Sequence, residues 1–200
     1  MSPFLIFCRD HILKMSSEDD LNLSDNESES TQSHTEDDGV KRVLVTGGAG
    51  FIGSSVAAHL LKRGDFVIIV DEMNDYYDVR LKQANLDYLS LYSATLSIYK
   101  GDICDVDFMA SIFEKERPTH ICHLAARAGV RPSIVDPYIS VHSNVEGTTR
   151  LLDLARLHSI KNFVYASSSS VYGCSTNEVL SESDAVEKPV SPYAATKKAW

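Results

Sequence analysis

Val43-Leu44-Val45-Thr46-Gly47-Gly48-Ala49-Gly50-Phe51-Ile52-Gly53 holds a strand, a glycine turn and a helix start within eleven residues. Val43 to Val45 is short, apolar and β-branched, as a strand buried on both faces requires. Gly47 then supplies the tight turn, Gly50 a bare backbone that a pyrophosphate can approach, and Gly53 close packing of helix on strand. The helix that follows, about residues 51–62, points its positive end and unpaired N–H groups at such an anion. A glycine-rich turn can also join a strand to a helix for structural reasons alone, so the context decides. Phe66 to Val70 is a second buried-strand run and ends at Asp71, 24 residues beyond Gly47. There a carboxylate accepts the hydroxyls of an adenosine ribose and repels a 2′-phosphate, which predicts NAD over NADP.

Outward from this unit the alternation continues: a strand at 95–99, a helix at 106–116, a strand at 119–123, a long helix at about 138–158 and a strand at 162–166. Strands alternating with helices pair in parallel through right-handed crossovers. The expected fold class is α/β, a doubly wound Rossmann sheet with helices on both faces. The strand ends Gly47, Asp71, Asp102, Ala125 and Ser168 should border the binding crevice, and all are small or polar.

Length and composition, 200 residues with 44% apolar, suit one core. The net charge of −9 is uneven. Residues 1–39 carry ten acids and two bases, which leaves 40–200 almost neutral and without a nucleic-acid footprint. Residues 1–39 therefore read as an acidic, Ser-rich disordered tail and 40–200 as the folded domain. Ser24, Ser28 and Ser30 suit an acid-directed kinase, although a solvating tail is the plainer reading. Phe4 to Cys8 is too short for a signal-peptide core or a membrane span, and a start at Met15 would remove it. Cys8, Cys104, Cys122 and Cys174 form no C-x-x-C pair and read as buried, reduced thiols, in keeping with a cytoplasmic protein. The histidines lack ligand spacing; His120 and His123 suit packing or capping, and no metal is expected.

Ser191-Pro192-Tyr193-Ala194-Ala195-Thr196-Lys197 reads as a capped helix start, Ser191 at the N-cap and Pro192 at the first helical position. Tyr193 and Lys197 then share a face. A tyrosine, with a pKa of about 10, needs a nearby cation to act as a base, and Lys197 is the candidate. The serine run 167–170 ends the last strand with hydroxyls, and physics alone does not choose among them.

Taken together, TGGAGFIG (46–53), GDI (101–103), HLAA (123–126), SSSSVYG (167–173) and SPYAATK (191–197) resemble the extended short-chain dehydrogenase/reductase family of nucleotide-sugar epimerases and dehydratases. The loops at 71–78 and 125–131 are most similar to UDP-glucuronate 4-epimerases. The resemblance implies that Ser168 hydrogen-bonds the sugar's 4-oxygen, that Tyr193 is the base, and that Lys197 binds the nicotinamide ribose. It also implies that Phe51 and Ile52 meet the pyrophosphate, Asp102 and Ile103 the adenine, and Ala125 and Ala126 the phosphates and ribose. Asn144 is implied as a structural, cofactor-side asparagine. Glu72 and Arg127 depart from the usual Asn and Gln. The family's dehydratases place Asp and Glu after the catalytic hydroxyl, and its decarboxylases keep a Glu there. Ser169 and Ser170 cannot act as acids or bases near pH 7. The resemblance therefore implies NAD-dependent 4-epimerisation of a UDP-sugar, by a homodimer in the full-length protein. The chain ends at Trp200, inside the last expected helix, so the family's C-terminal substrate lobe is expected to be missing. A non-catalytic NAD-binding fragment is the alternative, and another epimerase or dehydratase of the family the second. Arg131 is a candidate for the sugar carboxylate, with a surface or phosphate-facing role as its rival.

Overall fold

The computed structural model describes residues 6–8 and 39–200; the expected acidic tail with Ser24, Ser28 and Ser30 lies outside the described residues. The strands are β1 (Ile6–Cys8), β2 (Arg42–Thr46), β3 (Phe66–Asp71), β4 (Leu96–Lys100), β5 (His120–His123) and β6 (Asn162–Ala166). The helices are α1 (Phe51–Arg63), α2 (Val79–Leu89), α3 (Val106–Glu116), α4 (Val130–Val135), α5 (Pro137–Val141), α6 (Gly147–Leu157) and α7 (Pro192–Lys198). The sheet runs β1-β6-β5-β2-β3-β4, and every pair among β2 to β6 is parallel. The winding reverses at β2, which lies between β3 and β5, so the crevice beyond its carboxyl end is the natural ligand site. β1 pairs antiparallel with β6, an edge strand that the sequence reading did not anticipate.

Alternation along β2 and β3 builds two apolar layers. Leu44, Ile68 and Val70 pack with Met109 and Phe113 of α3 and Leu151 of α6. Val43, Val45, Val67 and Ile69 pack on the other face with Ala57 and Leu61 of α1 and Leu86 of α2. α1 has no acid in its first turn, Lys62 and Arg63 in its last, and Gly64 as a left-handed C-cap. That charge order favours an anion at its N-terminus.

The single long helix expected at 138–158 is instead α5, a π-helical turn over His142–Glu146, and α6. The wider turn directs Ser143 and Asn144 into the interior, a local insertion that hydrophobic periodicity does not signal. Helices α2 and α4 were not expected either. Burial lifts the Cys104 and Cys122 thiols to about 12 and about 11, while Cys174, expected to be buried, is exposed in the irregular surface loop after Gly173. Among the described residues no helix is long and apolar enough to cross a membrane.

His123 is a satisfied core histidine, with Nδ1 2.7 Å from Thr46 Oγ1 and Nε2 2.9 Å from Thr148 Oγ1. Burial, reinforced by the charge of Lys197, pushes its pKa from 6.5 down to about 3. Between those values the unfolded chain takes up a proton that the folded chain refuses. Stability through this group therefore falls as the pH drops from 6.5 toward 3, by up to about 1.4 kcal/mol per unit. Urea midpoints measured down that range should fall more steeply for the wild type than for His123→Asn; equal slopes would show that His123 does not carry the effect.

Candidate active site

The glycine turn closes by Gly47 N–H donating to Val70 O (2.8 Å) and Gly50 N–H to Gly47 O (3.0 Å). Gly47 has φ +70°, and a Cβ there would come within 2.8 Å of Ala125 N. A Cβ on Gly53 would strike the Gly47 carbonyl oxygen. The turn thus lies directly between α1 and the β5 end, which a side chain at either position would force apart. Gly50 is the N-cap of α1 with no side-chain partner, so the first N–H groups of the helix, at Phe51 and Ile52, lack an intrahelical acceptor.

Asp71 is 7% exposed at the end of β3. Its Oδ2 accepts Ala49 N–H (3.1 Å), and its Oδ1 accepts Met73 N–H (2.8 Å) and lies 3.5 Å from Lys82 Nζ. Lys82 is buried, also reaches Asn74 Oδ1 (3.2 Å), and stands over the Tyr77 ring. The sequence reading missed it; a lone lysine in a helix carries no signal until α2 is known to lean on the β3 end.

Asp102, at the β4 end, accepts Cys104 N–H on Oδ1 (2.8 Å) and faces His142 Nε2 with Oδ2 (2.8 Å). Burial raises its pKa, but the Cys104 N–H and His142 outweigh it and the carboxyl titrates below its ordinary range. Asp102, Cys104 and His142 bring possible metal ligands together, yet the Cys104 thiol is protonated and donates to His142 O (3.2 Å). Ile103 is buried behind Asp102, while Ala125 and Ala126 line the groove with little bulk.

Asn144 is 1% exposed. Its Oδ1 accepts Arg127 N–H (2.7 Å), and its Nδ2 donates to Arg127 O (3.1 Å) and Thr196 Oγ1 (3.0 Å). Both amide protons are spent on joining the loop after β5 to α7. The two departures from the family pattern meet: Arg127 Nη2 lies 2.9 Å from each carboxylate oxygen of Glu72.

Beyond the β5 and β6 ends lies the second cluster. α7 starts as the sequence predicts, Ser191 Oγ accepting Ala194 N–H (3.0 Å), and Ser133 of α4 accepts Tyr193 N–H (3.0 Å). Tyr193 is 8% exposed; burial and nearby Tyr76 raise its pKa, and a hydrogen bond with the Ser168 hydroxyl lowers it, leaving it above its ordinary value. Among the four serines, Ser168 is thus the one beside Tyr193. Its Oγ also accepts Ser170 N–H (3.2 Å). Lys197 is buried, donates to Ala166 O (2.9 Å) and stands over the Tyr165 ring, and burial brings its pKa down to about 8. Arg131 is exposed on α4.

A parallel sheet with a glycine cradle at its switch point and a Ser-Tyr-Lys set beside it defines the class of short-chain dehydrogenase/reductase folds. The family profile described as GDP-mannose 4,6 dehydratase matches residues 44–200. The chain belongs to the NAD-dependent epimerase/dehydratase family, the extended branch of that class. It is 47% identical over 158 residues to UDP-glucuronate 4-epimerase 4 of Arabidopsis thaliana, matching 78% of this chain and 36% of that protein. It is 44% identical over 157 residues to Protein CapI of Staphylococcus aureus, matching 78% and 46%. The Thermus thermophilus UDP-glucose 4-epimerase, crystallised with NAD, superposes with a TM-score of 0.68 at 33% identity over 79% of this chain and 48% of its own. The chain spans less than half the length of these relatives.

Proposed function

We propose that this chain carries the NAD-binding and proton-transfer half of a UDP-sugar 4-epimerase, with UDP-glucuronate converted to UDP-galacturonate. The observation that carries the reading is Tyr193 and Lys197, buried one turn apart in α7, with Ser169 and Ser170 standing where an acid would be needed for dehydration or decarboxylation. The groove fits NAD in its own chemistry: side-chain-free positions at Gly47 and Gly50, α1-start amides without an intrahelical acceptor, and Asp71 with an acceptor lone pair for a ribose diol. When bound there, nicotinamide supplies a reversible hydride acceptor for C4, so no net oxidation is needed. Tyr193 Oη takes the proton of the C4 hydroxyl. Ser168, whose Oγ accepts Ser170 N–H, turns its own proton from Tyr193 to the 4-oxygen when the sugar is bound. Lys197 lies one turn beyond Tyr193 in α7, and its cation is the group assigned to favour a phenolate against the burial that opposes it.

Incubation of UDP-glucuronate with a polypeptide of the relatives' length that carries these residues is expected to give UDP-galacturonate without added NAD, read by proton NMR at C4. Conversion of UDP-glucose alone would redirect the reading to a galactose-type epimerase, and loss of water or carbon dioxide would overturn it. A binding role without turnover is the second reading, in keeping with a groove that holds the dinucleotide-facing residues by itself. NAD bound with C4 unchanged would establish it.

A further inference from the structure

Among the described residues, two buried side-chain polar atoms have no hydrogen-bond partner, Arg127 Nε and Tyr77 Oη. Both residues line the groove at the β2 end. Buried donors are almost always satisfied, and two exceptions in one groove point to a shared missing acceptor. Tyr77 Oη faces the glycine turn, 3.8 Å from where a Gly50 Cβ would stand, with the Phe51 N–H approaching it and no acceptor for its own proton. Arg127 follows β5 and Glu72 follows β3, and β2 lies between those strands. Their ion pair therefore carries the guanidinium past the carboxyl end of β2, where the glycine turn begins.

That guanidinium is unusually constrained for a loop arginine. Asn144 fixes the Arg127 backbone at both N–H and C=O, Glu72 holds Nη2, and Tyr76 Oη donates to the neighbouring Ala128 O at 2.9 Å. Glu72 takes Nη2, and the neighbouring Nε–H is left without a partner. A guanidinium edge matches a phosphate, and the start of α1 beside it favours the same anion.

We propose that Arg127 is a ligand of the dinucleotide's diphosphate through Nε, positioned by Glu72, with the Tyr77 hydroxyl donating from the opposite wall. The two departures from the family pattern then act as one unit: Glu72 orients the arginine that Gln would replace. The inference rests on reading the groove as a dinucleotide site.

Calorimetric titration of this chain with NAD, ADP-ribose and adenosine separates the two. Arg127→Gln is expected to weaken NAD and ADP-ribose by about 10- to 100-fold and adenosine by less than about 2-fold, because one charge-assisted hydrogen bond to phosphate is lost. Arg127→Lys keeps the charge and stem but not the Nε donor, and should lose about 5-fold on the phosphate-bearing probes only. Glu72→Gln should lose less than Arg127→Gln on the same probes. Unchanged ADP-ribose affinity in both arginine variants, or an equal loss for adenosine, overturns the assignment. A wild-type chain that binds none of the three overturns the dinucleotide reading itself.

Discussion

Gly53→Ala is expected to abolish measurable dinucleotide binding and to destabilise the fold by about 1–3 kcal/mol or more, the range for forcing a methyl into packed structure. The added Cβ meets the Gly47 carbonyl oxygen and stands 2.9 Å from Gly48 Cα, both backbone atoms that cannot rotate away. Relief requires α1 to move off the turn. The amides of Phe51 and Ile52 move with it, since they begin that helix. Helix position and anion cradle are one object here, so stability and binding should fall together. Thermal melting and calorimetry on the same preparation check this; wild-type affinity with an unchanged melting temperature would show that Gly53 is not a packing requirement.

Tyr193→Phe is expected to do the reverse, sparing the fold and the cofactor while lowering C4 inversion by about 10²–10⁴-fold, the usual contribution of a positioned acid–base group. Removing the hydroxyl leaves the ring in its buried place and leaves untouched the Tyr193 N–H bond to Ser133 and the Ser191 cap. Only the partner of Ser168 is lost. Turnover near the wild-type rate, measured in the polypeptide of the relatives' length, would remove Tyr193 from its role.

The parallel sheet was legible because Val43–Val45 of β2 and Val67–Val70 of β3 are buried on both faces and therefore wholly apolar. The α3 and β6 bounds follow from a capping Asp105 and an isolated apolar run. The turn and the Ser191 cap were legible because each answers a backbone demand, a positive φ at Gly47 and an unpaired N–H at Ala194. What stayed hidden depends on tertiary meeting. The π-turn that carries Asn144 changes helix width without changing the apolar pattern, and Ser133 matters only because α4 packs on α7. The Glu72–Arg127 pair joins residues 55 apart, so the sequence displayed two oddities and not their contact. Physics alone did not choose among the four serines; the resemblance picked Ser168 by its place before Val171.

The cofactor claim is the foundation of the functional reading, and a paired titration of the chain with NAD and NADP tests it most directly. Asp71 and Glu72 set two carboxylates at the end of β3, where the ribose is expected, and like charge there opposes a 2′-phosphate. NAD is predicted to bind at least about 100-fold more tightly than NADP, a difference of about 2.7 kcal/mol. Equal or tighter binding of NADP, or binding of neither, would contradict the account.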